Sequence, residues 1–383
     1  MTGDGGRLRL AVLYGAEPYQ AYHVSDIAAA LSRDAQVELT ILTVDPAIDP
    51  LLERLETGQF ARPVPHERLY TSLAAKLLRR AHLFGNMKKQ VLGHPRNLGR
   101  LADFDAVITP TTHLALMRDR VPRSTRFVYV YHGAGARQMS YSPKMRAFDL
   151  VLPPGQATVD RLVADGLVRE GHAVAIGLPK AEACRRLAAA QPPLFDNDKP
   201  TVLFNPHSQR QLRSWEKFAG PLIEHAARTG EFNLIVAPHV KLFARRPRAI
   251  WRRWEKRAVP GRVYVDLGSD ASLDMRYTLA ADIYAGDVSS QVYEFLTEPK
   301  PCVFLNAHDA DWRDSRDYPM WRLGEVAETP EQAMQLIRSA AADHPRFAEL
   351  QREERRVRIG ELESGSAERA ARLILSFLRE GRA

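Results

Sequence analysis

The feature that most constrains this chain is an alternation, run through twice, of short aliphatic runs and longer segments with helical periodicity. In the first half the aliphatic runs fall at residues 8–13, 37–44, 106–109, 127–131, 149–152 and 173–176. Near-continuous apolar runs suit strands buried on both faces, and helices between them make crossovers around a parallel sheet. Residues 24–33 fit one such helix, with Ile27, Ala28 and Leu31 on a single face, and 158–165 another. The rhythm pauses at 187–200, where Pro192, Pro193 and Pro200 accompany polar turn formers, the composition of a linker. It then restarts, with strands expected at 201–204, 233–237, 263–266, 282–284 and 302–305, and a helix at 215–229. From about 328 onward the chain is charged and helical, at 331–341, 346–361 and 367–379. The expected organisation is an α/β protein with two Rossmann-like domains, 1–186 and 201–345, joined by the linker 187–200. Helices in 346–383 are expected to pack back on the first domain. A central cleft faced by both domains, near the carboxyl ends of the strands, is where such an arrangement would bind a ligand.

Composition narrows the function. The 383 residues are 45% hydrophobic, enough for two cores, yet no run approaches the roughly 18 apolar residues that span a bilayer. Residues 8–14 are too short for a signal peptide, so a cytoplasmic protein is expected. The formal charge of +8 concentrates at 76–100 and 241–257, which favours anionic partners. Phosphates and an anionic membrane surface are the candidates, the latter implying a peripheral position on the inner face of the membrane. No nucleic-acid-binding module accompanies the charge, and nucleic acid is not an expected partner. Cys184 and Cys302 stand far apart among aliphatic or small residues, which suggests neither a disulfide nor a thiolate metal site. The twelve histidines show no H-E-x-x-H spacing, and there is no G-x-G-x-x-G, Walker A or G-x-S-x-G sequence. No metal and no cofactor are expected.

Four strand ends carry chemistry. The run Ala285-Gly286-Asp287-Val288-Ser289-Ser290-Gln291 leads from a strand through a turn into a helix. Asp287 or Ser289 can cap that helix, and the exposed N–H groups with Ser290 and Gln291 would cradle an anion. A second strand ends in His132-Gly133, placing an imidazole and a permissive backbone where α/β sites form, the position of a general base. A third ends in Pro238-His239-Val240-Lys241, where His239 could donate to a phosphate and Lys241 add charge. The fourth, Thr201–Phe204 in sequence, is followed by His207 at the same edge. On the first half, Glu17 and His23 follow the opening strand and are candidates for the acceptor side.

Taken in order, His132-Gly133, Gly177-Leu178-Pro179-Lys180, Pro238-His239 and Asp287-Val288-Ser289-Ser290 resemble the motifs of the CDP-glycerol glycerophosphotransferase family, which builds teichoic-acid-type polymers. The similarity covers roughly residues 105–305, and the succession of short motifs carries it. Ala237 stands where the family usually has arginine and Val240 where it has proline. The resemblance implies a GT-B fold and a transferase of cell-envelope biosynthesis. Such an enzyme moves glycerol phosphate or a similar phospho-polyol from a CDP-linked donor to a hydroxyl of a glycan, lipid or surface-polymer precursor. In the family the first histidine acts as base, while the second histidine and the serines hold the donor's diphosphate. Two alternatives share the scaffold: a GT-B glycosyltransferase using a nucleotide sugar for a cell-surface glycan such as a capsule polysaccharide, and a non-catalytic binding protein that keeps the fold.

Overall fold

The computed structural model describes residues 7–15, 17–72, 88–133, 141–289, 291–315, 318–360 and 365–381. Among them, twelve strands form two parallel six-stranded sheets. The first contains β1 (Leu8–Tyr14), β2 (Val37–Thr43), β3 (His66–Arg68), β4 (Ala106–Thr109), β5 (Arg126–Val130) and β6 (Leu150–Leu152), in the order β3-β2-β1-β4-β5-β6. The second contains β7 (Thr201–Asn205), β8 (Asn233–Val236), β9 (Val263–Val265), β10 (Ile283–Gly286), β11 (Cys302–Leu305) and β12 (Glu325–Ala327), in the order β12-β11-β10-β7-β8-β9. Renumbered within its own half, the second sheet repeats the connectivity of the first. Each has its switch point beside its opening strand, between β1 and β4 and between β7 and β10, where α/β proteins bind ligands.

The chain divides into two compact units, residues 1–183 with 357–383, and residues 184–356. In the first, Leu10, Val12 and Leu13 are fully buried on a central strand in register with β2 and β4. Phe127 and Tyr129 of β5 pack in one core with Leu13 and with Ala11 of the same strand. In the second, the helix Trp215–Thr229 buries Phe218, Leu222, Ile223 and Ala226 against the sheet and ends at Gly230, whose φ of 60° suits a left-handed cap. Trp215 stacks on Phe204 with ring centroids 6.0 Å apart. Each large apolar side chain buried in this way contributes about 1.5–3 kcal/mol relative to exposure. Gly286 is required by crowding: a Cβ there would stand 2.8 Å from the Asn205 carbonyl oxygen on the neighbouring strand.

Three features depart from the sequence reading. Residues 173–176 form no strand; only Ala173 bridges to Val151, and the backbone then turns at Gly177 with φ of 89°. The edge strands β3 and β12 escape the apolar pattern because a half-exposed edge carries no continuous apolar run: β3 is the polar His66-Glu67-Arg68 and β12 is Glu325-Val326-Ala327. The helix Pro179–Ala189 runs three residues into the segment read as linker. At the other end, the helix Ser366–Glu380 packs within the first unit against the helix Ser25–Ser32, with Arg33–Glu368 at 2.9 Å and Arg379–Asp34 at 2.8 Å flanking buried Ile374 and Phe377. Among the described residues no helix is long and apolar enough to cross a membrane. Residues 76–87 of the first basic segment lie outside the described residues.

Candidate active site

In the second unit, the carboxyl ends of β7, β8 and β10 bring His207, His239 and Asp287 together. Asp287 is fully buried, and its Oδ2 accepts from the backbone N–H of His207 at 2.7 Å and of Ser214 at 2.9 Å. It ties the loop after β7, and the start of the helix Trp215–Thr229, to the end of β10. With no exposed surface, Asp287 acts through the groups it positions. Burial pushes its carboxyl up to about 7, against the pull of hydrogen bonds from Ser214 and the His207 backbone. The cap of the helix Gln291–Phe295 is Ser289, whose Oγ accepts from the Gln291 N–H at 3.2 Å. That helix has only five residues, so its dipole is a weak lure for an anion. Gln291 spends its side-chain amide on the Ser272 carbonyl at 3.2 Å, and Ser290 lies outside the described residues.

The two histidines supply stronger donors. His207 accepts the Gln209 N–H on Nδ1 at 3.0 Å, and His239 accepts the Lys241 N–H on Nδ1 at 3.2 Å. A backbone N–H can only donate, so in both rings Nδ1 carries the lone pair and the proton sits on Nε2. The rings lie edge to face with centroids 5.7 Å apart, His207 buried and His239 half-buried. Two Nε2–H donors so placed suit the oxygens of a phosphate or diphosphate. Asn205 pins the floor, donating to the Ala237 carbonyl at 2.6 Å and accepting from Tyr284 at 3.3 Å. The Lys241 side chain is exposed.

In the first unit the arrangement is inverted. His132 follows β5, and its Nδ1 lies 2.8 Å from the Pro110 carbonyl oxygen at the end of β4 and 3.1 Å from the Tyr129 hydroxyl. A carbonyl can only accept, so Nδ1 carries the proton and Nε2 is left with the lone pair, the form a general base needs. Burial lowers the pKa of His132, and the bond to Pro110 partly offsets that, so the ring is neutral over most of the physiological range. Gly133, next in line, has φ of 150°, a backbone that favours glycine. His23 is buried with its ring 6.5 Å from that of His132 and its Nδ1 without a hydrogen-bond partner. Its pKa is driven well down by burial and then by Lys180 and His132. Glu17 is exposed in the loop after β1.

Sequence reasoning passed over Tyr129 and Ser214, and it gave Lys180, although inside a recognised motif, no role of its own. Lys180 is buried in the Gly-Leu-Pro-Lys turn, and a lysine that closes such a turn is the available signal. Ser214 could be seen as the residue before an amphipathic helix, Tyr129 only as one more strand aromatic. The basic segment 241–257 also looks different in three dimensions. Trp251 donates its Nε1–H to the Phe243 carbonyl at 3.0 Å, and Trp254 packs on Trp215, so the indoles face the core while Arg252 and Arg253 face solvent.

Two parallel sheets of one connectivity, each flanked by helices, define a two-domain α/β protein of the GT-B fold. Solved structures with this fold match nearly the whole chain. The S. aureus MnaA–UDP co-structure is 13% identical, with 97% of each chain covered and a TM-score of 0.63. The wall teichoic acid polymerase TagF is 10% identical, with 100% of this chain and 92% of that one covered and a TM-score of 0.63. A UDP-GlcNAc 2-epimerase from Neisseria meningitidis bound to UDP-GlcNAc is 10% identical, with 97% and 99% covered and a TM-score of 0.61. At these identities the likeness is one of fold. No protein-family model and no curated protein matches the sequence.

Proposed function

We propose that this protein is a GT-B enzyme that transfers glycerol phosphate or a similar phospho-polyol from a CDP-linked donor to a hydroxyl of a glycan, lipid or surface-polymer precursor. The observation that carries the reading is the opposed protonation of the strand-end histidines: a lone pair on His132 Nε2, and Nε2–H donors on His207 and His239. In the reaction, His132 Nε2 takes the proton of the acceptor hydroxyl as its oxygen attacks the phosphorus that carries the polyol. The bond from that phosphorus to the bridging oxygen breaks, and CMP leaves with the electron pair. His207 and His239 donate to the phosphate oxygens where that charge grows, with Ser289, Ser290 and the neighbouring backbone as further donors and Lys241 as a solvent-side cation. Gly133 and Gln291 shape the backbone beside these groups, and Glu17 and His23 lie on the acceptor side. The likeness in fold to TagF supports the donor class.

A nucleotide sugar is the second reading, supported by the equal TM-score of the MnaA–UDP co-structure. Incubating the chain with CDP-glycerol and with UDP-, GDP- and CMP-sugars, and identifying the nucleotide released, separates the two. Release of CMP from CDP-glycerol alone is expected; release of UDP alone would overturn the first reading. Binding without turnover of any donor would leave a protein that only retains the fold. Contact with an acidic membrane, by the exposed arginines and without tryptophan insertion, would bring the enzyme to a lipid-linked acceptor. Loss of sedimentation with acidic liposomes on raising the salt is the corresponding expectation.

A further inference from the structure

The first unit holds a second basic feature at the opposite edge of its sheet. Arg123 precedes β5, Arg146 precedes β6, and Arg169 follows the helix Gln156–Ala164; all three line a cavity of about 480 Å³. Five residues of β5 separate this edge from His132, roughly 16 Å at the rise of a strand. The one carboxylate in the lining, Asp149, is already engaged. Its Oδ2 accepts from the Phe127 N–H at 2.8 Å and from buried Arg118 at 3.3 Å, and its Oδ1 from Arg126 at 3.4 Å. Arg146 is held at the rim by its Nε–H on the Gly166 carbonyl at 3.1 Å. Among the described residues, Arg123 and Arg169 have no acidic side chain within ion-pair distance. Buried Phe148 supplies an apolar wall.

Solvated arginines ordinarily spread over a convex face. These three, though exposed, stand around a concavity of ligand size whose acid is engaged from behind and whose wall is apolar. We propose that this cavity is a second anion site, taking a ligand that carries a phosphate or diphosphate group on an organic body. Guanidinium forks match phosphate oxygens, and the wall suits the ligand's carbon skeleton. Such a ligand could be a soluble phosphorylated compound or the headgroup of an acidic lipid.

The test uses the full chain carrying His207→Asn and His239→Asn, so that the second unit's histidines do not bind the probe. Inorganic pyrophosphate is titrated by calorimetry at low salt. Adding Arg123→Ser and Arg169→Ser should weaken binding by about tenfold or more, whereas Arg252→Ser with Arg253→Ser, the same loss of charge elsewhere, should leave it within about twofold. Equal weakening by the two pairs, or no effect of the first, would overturn the proposal. Sedimentation with phosphatidylglycerol vesicles assigns the source. Capture that falls when Arg123 and Arg169 are replaced points to a lipid headgroup, while calorimetric binding with capture absent, or unchanged by that pair, points to a soluble phosphate.

Discussion

The two units carry histidines at equivalent places, the loops at the carboxyl ends of parallel strands, and the histidines are opposite in kind. His132 meets a carbonyl at Nδ1, while His207 and His239 meet backbone N–H groups. One hydrogen bond on the far side of each ring therefore decides whether Nε2 takes a proton or gives a hydrogen bond. Duplicating a fold duplicates the positions of side chains. Their protonation is set by whichever backbone group happens to lie behind them.

The sharpest way to break this contrast is to remove the lone pair. His132→Ala should lower the transfer rate by about 10²- to 10⁴-fold with donor affinity nearly unchanged, as measured by kcat and by calorimetry with the donor. In the parent, kcat/KM should rise with pH through a pKa below the usual histidine value and then level off, since burial depresses His132. An acid limb above that value, or one that survives the substitution, would take the base role away from His132.

Asp287 offers the next largest effect, this time on stability. Its carboxyl is raised to about 7 in the folded chain from near 4 when unfolded. A raised acid contributes fully below the unfolded pKa, and the contribution is lost as pH climbs through the folded one. Three units correspond to about 4 kcal/mol. Asp287→Asn keeps an oxygen for the His207 and Ser214 N–H groups without the buried charge. Its Tm should match the parent near pH 4 and exceed it increasingly from pH 4 to above 7. A gap that does not change with pH would mean that Asp287 does not titrate there.

His239→Asn separates the two jobs of one ring. The asparagine oxygen can still cap the Lys241 N–H, while the Nε2–H donor is gone. Donor affinity should fall by about tenfold or more with Tm nearly constant, because a charge-assisted hydrogen bond is worth about 1.5–3 kcal/mol. The smallest effect is expected of Lys241→Ala, about threefold or less on donor KM, since the side chain is exposed and screened.

Much of the architecture is legible in the order of the residues. The runs at β1, β2, β4 and β7 are apolar enough to be recognised as strands buried on both faces, and the proline-rich break separates two similar halves. The edge strand His66–Arg68 is not legible, because an exposed three-residue edge has no apolar face to announce it. The candidate site divides in the same way. A histidine at a strand end can be seen locally, whereas the group behind it cannot. Pro110 lies 22 residues before His132 in the chain, and Asp287 reaches back 80 residues to His207 and 73 to Ser214.

Periodicity and apolar content act over a few neighbours, so they already specify the pair of α/β halves and the strand ends at which His132, His207, His239 and Asp287 stand. The folded chain sets what those residues can do. It set carbonyl against N–H behind each imidazole, and it turned Asp287 from a helix cap into a buried clamp. It also drew Arg123, Arg146 and Arg169 around one cavity. Hydrogen-bond partners and burial are properties of packing between distant segments, and no local pattern encodes them.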